Sequence, residues 1–382
     1  MTETSKNQSA SGSSRKESGQ NRKPATVVLS GGAPNSTLMS GALYGIHSRR
    51  KTFDHFYTSG AGAIVALMYL AARGMTPADA MKLTIQSSIA DPIWQSFQLP
   101  YKAFFKTGPF TAPMVKASQH FKLTGDSPFT RLYNDSVDFW TAAMTPSVIM
   151  PTDKGLCAPN PFFSDAIDFD KLRNFQGEFF MNSYNVTKHR MEEFSKADTD
   201  VQHVWAALAF PFVYEPVSIT SEVNGKAETS FYSEGSDRDP INLPNLRKRI
   251  QAEHIDPDTT VVLIDVLGSL EKGLVRVPRN LMDAYGISIM TPIVSLAQKN
   301  KQHFYDLYQE SDPGVLAEQG IMRPEGWEPA FKSFIEMSFD IPDKMMPHIS
   351  EWSHSNMSGL FEIGVAAGEK FVDDHGDLLP DV

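Results

Sequence analysis

Cysteine is almost missing from this chain: Cys157 stands alone among 382 residues. A single thiol makes no intramolecular disulfide and no thiolate metal cluster. Positive charge is also scarce, with 35 Lys and Arg against 45 Asp and Glu, for a net charge of -10. A nucleic-acid binder needs a basic face to neutralise phosphates, so that class is set aside. Long apolar runs are absent too. The longest, Ala61 to Ala72, falls short of the ~20 residues that span a bilayer. The polar opening MTETSKNQSASGSSRKESGQNRK lacks the apolar core of a signal peptide. Together these absences lead us to expect a soluble, cytoplasmic protein. They leave room for transient membrane contact and for a lipid-like or other apolar small molecule as substrate. The ten histidines show no HExxH or paired ligand spacing, so no metal site is expected. No cofactor is expected either, since the GAGA of Gly60 to Ala63 lacks the GxGxxG dinucleotide spacing.

What is present is enough apolar material, 41% of residues, for a large core. Residues 1–24 are Ser, Gln, Asn and Lys-rich and read as a disordered tail, because they have little to bury against their ordering entropy. Order starts at Ala25 to Leu29, a β-branched run suited to a buried parallel strand. Helical spacing follows from Ser36, a second strand at Phe53 to Tyr57, and a second helix at Gly62 to Ala72. Thr76-Pro77 opens a third helix, with Thr as N-cap and Pro in the first turn. Strand alternating with helix at short spacing predicts a mostly parallel sheet covered on both faces. The chain then becomes dense in Phe, Trp, Met and Pro over residues 91–163, predicting a helical insertion or a lid over an apolar substrate. Strand signals return at Glu178 to Ser195, ETSFYSEGS and TTVVLIDVLG. Residues 277–372 read as helical and 373–382 as a tail, leaving one domain over 25–372.

Four ordered blocks carry a resemblance. SGGAPNSTLMSGAL (Ser30 to Leu43) follows a strand and enters a helix. TSGAG (Thr58 to Gly62) sits at a strand-to-helix turn. AALAFPFVYEP (Ala206 to Pro216) joins a helix to a proline-marked loop, and SEGS (Ser233 to Ser236) follows a strand. In this order they resemble the patatin-like lipid acyl hydrolases, and the resemblance covers roughly Ala25 to Val372. It implies a three-layer α/β/α fold and acyl-ester hydrolysis. It also implies a nucleophilic serine in a GxSxG elbow, a single aspartate base in a DG[GA] turn, and a glycine loop that binds the oxyanion. Acyl transfer needs those three parts: a nucleophile, an adjacent base and donors aimed at the developing charge. Gly31, Gly32 and Ala33 fill the place of the oxyanion loop.

The active positions depart from the family pattern while the framework glycines remain. The family's basic residue is Asn35, the first elbow glycine is Thr58, Gly60 stands at the position of the serine, and the aspartate is Glu234, followed by Gly235. Three readings stand. Ser59 is the nucleophile after a one-residue slip, paired with Glu234, whose side chain is about one methylene longer than Asp; strand alternation opposes such a slip. Alternatively the site is silent and only binds an apolar ligand. The third reading makes Glu234 a lone general acid or base, its pKa raised by burial. His203, Asp237, Asp239 and Cys157 weigh less and read as helix-end, turn and loop residues.

Overall fold

The computed structural model describes residues 23–33, 35–102, 110–145, 154–158, 162–223, 225–252, 254, 256, 259–308 and 333–382. Residues 1–22 of the expected N-terminal tail lie outside them. The strands are β1 (Ala25–Leu29), β2 (His55–Thr58), β3 (Gly155–Cys157), β4 (Glu178–Asn185), β5 (Arg190–Ser195), β6 (Phe212–Tyr214), β7 (Val217–Val223), β8 (Lys226–Glu234), β9 (Thr260–Ile264) and β10 (Ser333–Glu336). The main sheet runs β10-β9-β1-β2-β4-β8-β7, with β5 paired to β4. Its first five strands are parallel, while β8, β7 and β5 join antiparallel. Every residue of β1 and β9 is buried. That is why both read as unbroken apolar stretches rather than alternating ones. The architecture is the mostly parallel three-layer α/β/α arrangement expected from the alternation of elements.

Helices α1 (Ser36–Ser48) and α2 (Ala61–Ala71) follow β1 and β2. On α1 lies the C-terminal helix His354–His375, and small residues set how close the two come. A Cβ on Gly364 would stand 2.3 Å from the Leu38 carbonyl oxygen, and one on Gly41 would stand 2.1 Å from that of Phe361. Only a pair of glycine-faced helices can pack at this distance.

Two expectations about the C-terminal part are corrected. Within the segment read as helical, β10 adds a strand beside β9, because Phe334 and Ile335 supply the apolar pair that the sheet edge needs. Residues 373–382 are not a loose tail. The last helix continues to His375, Leu379 is buried, and the Thr52 N–H donates to the Pro380 carbonyl at 3.0 Å.

The aromatic segment contains the helices Asp91–Ser96, Thr111–Ser118 and Pro128–Met144. Ser127 caps the last of these, accepting from the Thr130 N–H at 3.0 Å. One face of this helix is anchored by Asp135, which is buried, pairs with Lys102 and accepts the Ala90 N–H at 2.7 Å. Phe139 packs edge-on against Phe97 and Tyr101. The opposite face is apolar and open: Phe129, Trp140 and Met144 are 70%, 59% and 67% exposed.

Candidate active site

The Leu29↔Thr58 register brings the ends of β1 and β2 to one level, so the loops after them sit side by side. The segment Glu234–Asn242 then crosses these ends. Ser183 of β4 pairs with Glu234, the Asp239 carbonyl accepts from Asn182 Nδ2 at 2.8 Å, Pro240 accepts the Gly31 N–H at 2.9 Å, and Asn242 Nδ2 donates to the Thr58 carbonyl at 3.0 Å. A single turn thereby holds β4, β2 and β1 in place at the carboxyl edge, where open α/β sheets bind ligands.

Gly60 forms the elbow at the start of α2, with φ 46° and ψ −125°. That backbone is open to glycine and strained for any other residue. The side-chain space of the elbow is occupied from across the site. A Cβ on Gly60 would lie 2.3 Å from Glu234 Oε1 and 3.1 Å from both Cβ and Oγ of Ser236. The Ser236 hydroxyl donates to Glu234 Oε1. Gly31 is equally close, since a Cβ there would come within 2.8 Å of Ser236 Cβ.

The expected Ser59–Glu234 pair is not assembled. Ser59 is fully buried and its hydroxyl donates to the Asp239 carbonyl at 2.8 Å, locking the crossing turn to β2. Alternation along the strand turns it away from the face that Glu234 occupies. Thr58 is buried as well and donates to the Phe180 carbonyl at 3.0 Å. Asn35 is buried, donates to the Val266 carbonyl at 3.3 Å, and ties the glycine loop to the turn after β9. Its Oδ1 has no partner among the described residues. Gly235 lies tight against Asn182, where a Cβ would be 2.5 Å from Oδ1.

Of the glycine loop, Gly31 spends its N–H on Pro240. The N–H groups of Gly32 and Ala33 carry no hydrogen bond among the described residues, and both residues line a cavity of about 1610 Å³. Glu234 and Ser236 line the same cavity, with Met68 of α2, Trp94 and Phe139 of the aromatic segment, and Trp205. The space is well above the ~300–1,000 Å³ of ordinary ligand pockets, and suits a long apolar ligand.

Burial lifts the Glu234 carboxyl to about 7, with Asp237 adding to the rise and the Ser236 hydroxyl opposing it. The Asp239 carboxyl, also raised by burial to about 6, is held by the Asn242 N–H at 3.1 Å and by Asn300, away from the elbow. Burial also raises Asp237, which lies beside Arg238. His203 begins the helix Val201–Leu208, bonded at 2.7 Å to its N-cap Asp200. Cys157 lines the cavity wall. Ser236 is the residue that the motif reading passed over. Its signal was its place in the same SEGS turn, two residues after Glu234.

No curated protein sequence matches the chain. Among solved structures it is similar to VipD from Legionella pneumophila, at 14% identity over 92% of this chain and 67% of that one, with a TM-score of 0.35. It is also similar to the ExoU–SpcU complex of the type III secretion system of Pseudomonas aeruginosa, at 17% identity over 74% of this chain and 52% of that one, with a TM-score of 0.26. The family model of patatin-like phospholipases matches residues 27–244, more than half of the chain, and spans the glycine loop, the elbow and the acid turn. By that match the chain belongs to the patatin-like phospholipase family.

Proposed function

We propose that this protein hydrolyses acyl esters of lipids, with Glu234 as the proton-handling group of the site. Family membership supports lipid acyl chemistry in general. One observation carries the finer reading: the Glu234 carboxylate stands where an elbow side chain would be, at the wall of the 1610 Å³ cavity that Gly32 and Ala33 also line. A general base works best with a pKa near the working pH, and burial lifts Glu234 to about 7. The ester carbonyl lies against the loop, whose Gly32 and Ala33 N–H groups receive the developing negative charge. Acyl chains run along the aromatic wall. The helix Pro128–Met144 gives one face to the cavity and leaves Phe129, Trp140 and Met144 outside, so it seats on a lipid surface while feeding the cavity.

Steady-state turnover of p-nitrophenyl acyl esters and of phospholipid vesicles tests this. Glu234→Gln is expected to lower turnover at least a hundredfold with the fold intact; unchanged turnover refutes the assignment. A second reading is favoured by Gly60 itself, which brings no nucleophile to the elbow: a cavity kept for binding an acyl chain. Its mark is a fatty acid held in the cavity with no ester turnover by the parent protein.

A further inference from the structure

We propose that Ser236 is the nucleophile of this site, relocated from the elbow to the acid turn. The inference rests on the hydrolase reading above and supplies the residue that reading lacks. Three observations converge on the hydroxyl. It donates to Glu234 Oε1, which makes a serine–carboxylate pair within one turn. It lies between the two loops that frame the reaction: a Cβ on Gly60 would be 3.1 Å from Ser236 Oγ, and a Cβ on Gly31 would be 3.3 Å from it. And Ser236, although only 3% exposed, lines the cavity together with Gly32 and Ala33.

The glycines make the exchange sterically consistent. A serine at position 60 would drive its Cβ into the Glu234 carboxylate, and any side chain at position 31 would strike Ser236. With both positions bare, the volume of an elbow side chain is taken by the Glu234–Ser236 pair. Ser59 is no competitor, because its hydroxyl is committed to the Asp239 carbonyl on the buried side of the strand.

In the step itself, the Glu234 carboxylate takes the Ser236 Oγ proton as Oγ bonds to the ester carbonyl carbon. The carbonyl electron pair moves to oxygen, facing the Gly32 and Ala33 N–H groups. Collapse breaks the bond to the alcohol oxygen, and Glu234 returns its proton to that oxygen. A water then attacks the acyl-Ser236 ester with Glu234 again as base, releasing the carboxylic acid and restoring the serine. Activation of a hydroxyl by an adjacent carboxylate with no histidine is sufficient in principle, since the base needs only reach and a suitable pKa.

The experiment is to label the intact, unmodified protein with a fluorophosphonate probe and map the adduct by peptide mass spectrometry. Turnover of a p-nitrophenyl ester is measured alongside for the parent protein, Ser236→Ala, Ser59→Ala and Glu234→Gln. The expected adduct is on Ser236, with turnover of Ser236→Ala down roughly 10³-fold or more and Ser59→Ala still labelled. Labelling at Ser59 or another residue, no labelling, or Ser236→Ala turnover within threefold of the parent overturns the proposal. If Ser236→Ala stays active while Glu234→Gln is dead, only this inference falls. If Glu234→Gln stays active, the hydrolase reading falls with it. The mapping needs no variant, so a substitution that fails to fold leaves the result decisive.

Discussion

Replacing Gly60 by alanine adds one methyl group at the tightest point of the site. Two costs follow from the structure. The backbone at φ 46° and ψ −125° is strained for a residue with a Cβ, at ~1–3 kcal/mol. The methyl carbon would also lie 2.3 Å from Glu234 Oε1, so the carboxylate must swing away and give up the Ser236 hydroxyl. A hydrogen bond to a charged group is worth ~1.5–3 kcal/mol. The sum is roughly 2.5–6 kcal/mol, which urea unfolding resolves easily. A double-mutant cycle separates the two parts. In a Glu234→Ala background the carboxylate clash is gone and only the backbone strain and the Ser236 contacts remain. The two substitutions are therefore expected to couple by about 2 kcal/mol. Additivity within ~0.5 kcal/mol, the range for independent sites, would refute the claim that Glu234 fills the elbow space.

The Glu234 carboxyl, raised by burial from 4.5 to about 7, keeps its proton in the folded chain where the unfolded chain has lost it. Its stabilising contribution is full below about pH 4.5 and is lost as pH climbs to about 7, by roughly 3 kcal/mol. Urea midpoints from pH 4.5 to 8 should fall less steeply in Glu234→Gln than in the parent, and identical slopes would contradict the burial. Turnover of a soluble ester should rise with pH to a plateau with a midpoint near 7; a bell centred well below that contradicts Glu234 as base. Asp135→Ala leaves the Lys102 ammonium and the Ala90 N–H without their shared partner, and should cost ~3–5 kcal/mol in chemical unfolding. Gly364→Ala should destabilise by ~1–3 kcal/mol through overpacking. Helix propensity alone gives the opposite sign, a gain of about 1 kcal/mol, so a stabilised variant would refute the close packing of the two helices. Exchanging Phe129, Trp140 and Met144 together for serine should reduce sedimentation with phosphatidylcholine vesicles at least tenfold and spare soluble-ester turnover.

The fold was legible where burial is uniform or a glycine is obligatory. The strand Ala25–Leu29 matches its expectation residue for residue, because a central parallel strand must be apolar throughout. The Thr76-Pro77 helix start was readable because the cap and the proline act locally. The strand Ser333–Glu336 was not, since four residues at a sheet edge carry no period that helices around them do not also show. At the site, motif order pointed to the glycine loop and the Glu234 turn, and both line the same cavity. The direction of Ser59 followed from strand alternation, which already opposed it as nucleophile. The partner of Glu234 was missed because motif reading compares positions, whereas the space left by a missing side chain at Gly60 is filled from a turn far away in sequence.

The energetics of that turn also bear on whether the site is only a remnant. At neutral pH a buried carboxylate at 234 costs the folded chain stability that an uncharged residue of the same shape would not. The Ser236 hydroxyl opposes this cost and lines the same cavity as Glu234, where an ester would meet it. A site kept only for packing would favour Gln at 234, with hydrogen bonds but no charge to bury. Burial that raises an acid to about 7 beside a cavity wall is the environment of a general acid or base, in line with the role proposed for Glu234. The glycine at the elbow fits this picture: with φ 46° and no side chain, it makes room for the Glu234–Ser236 pair.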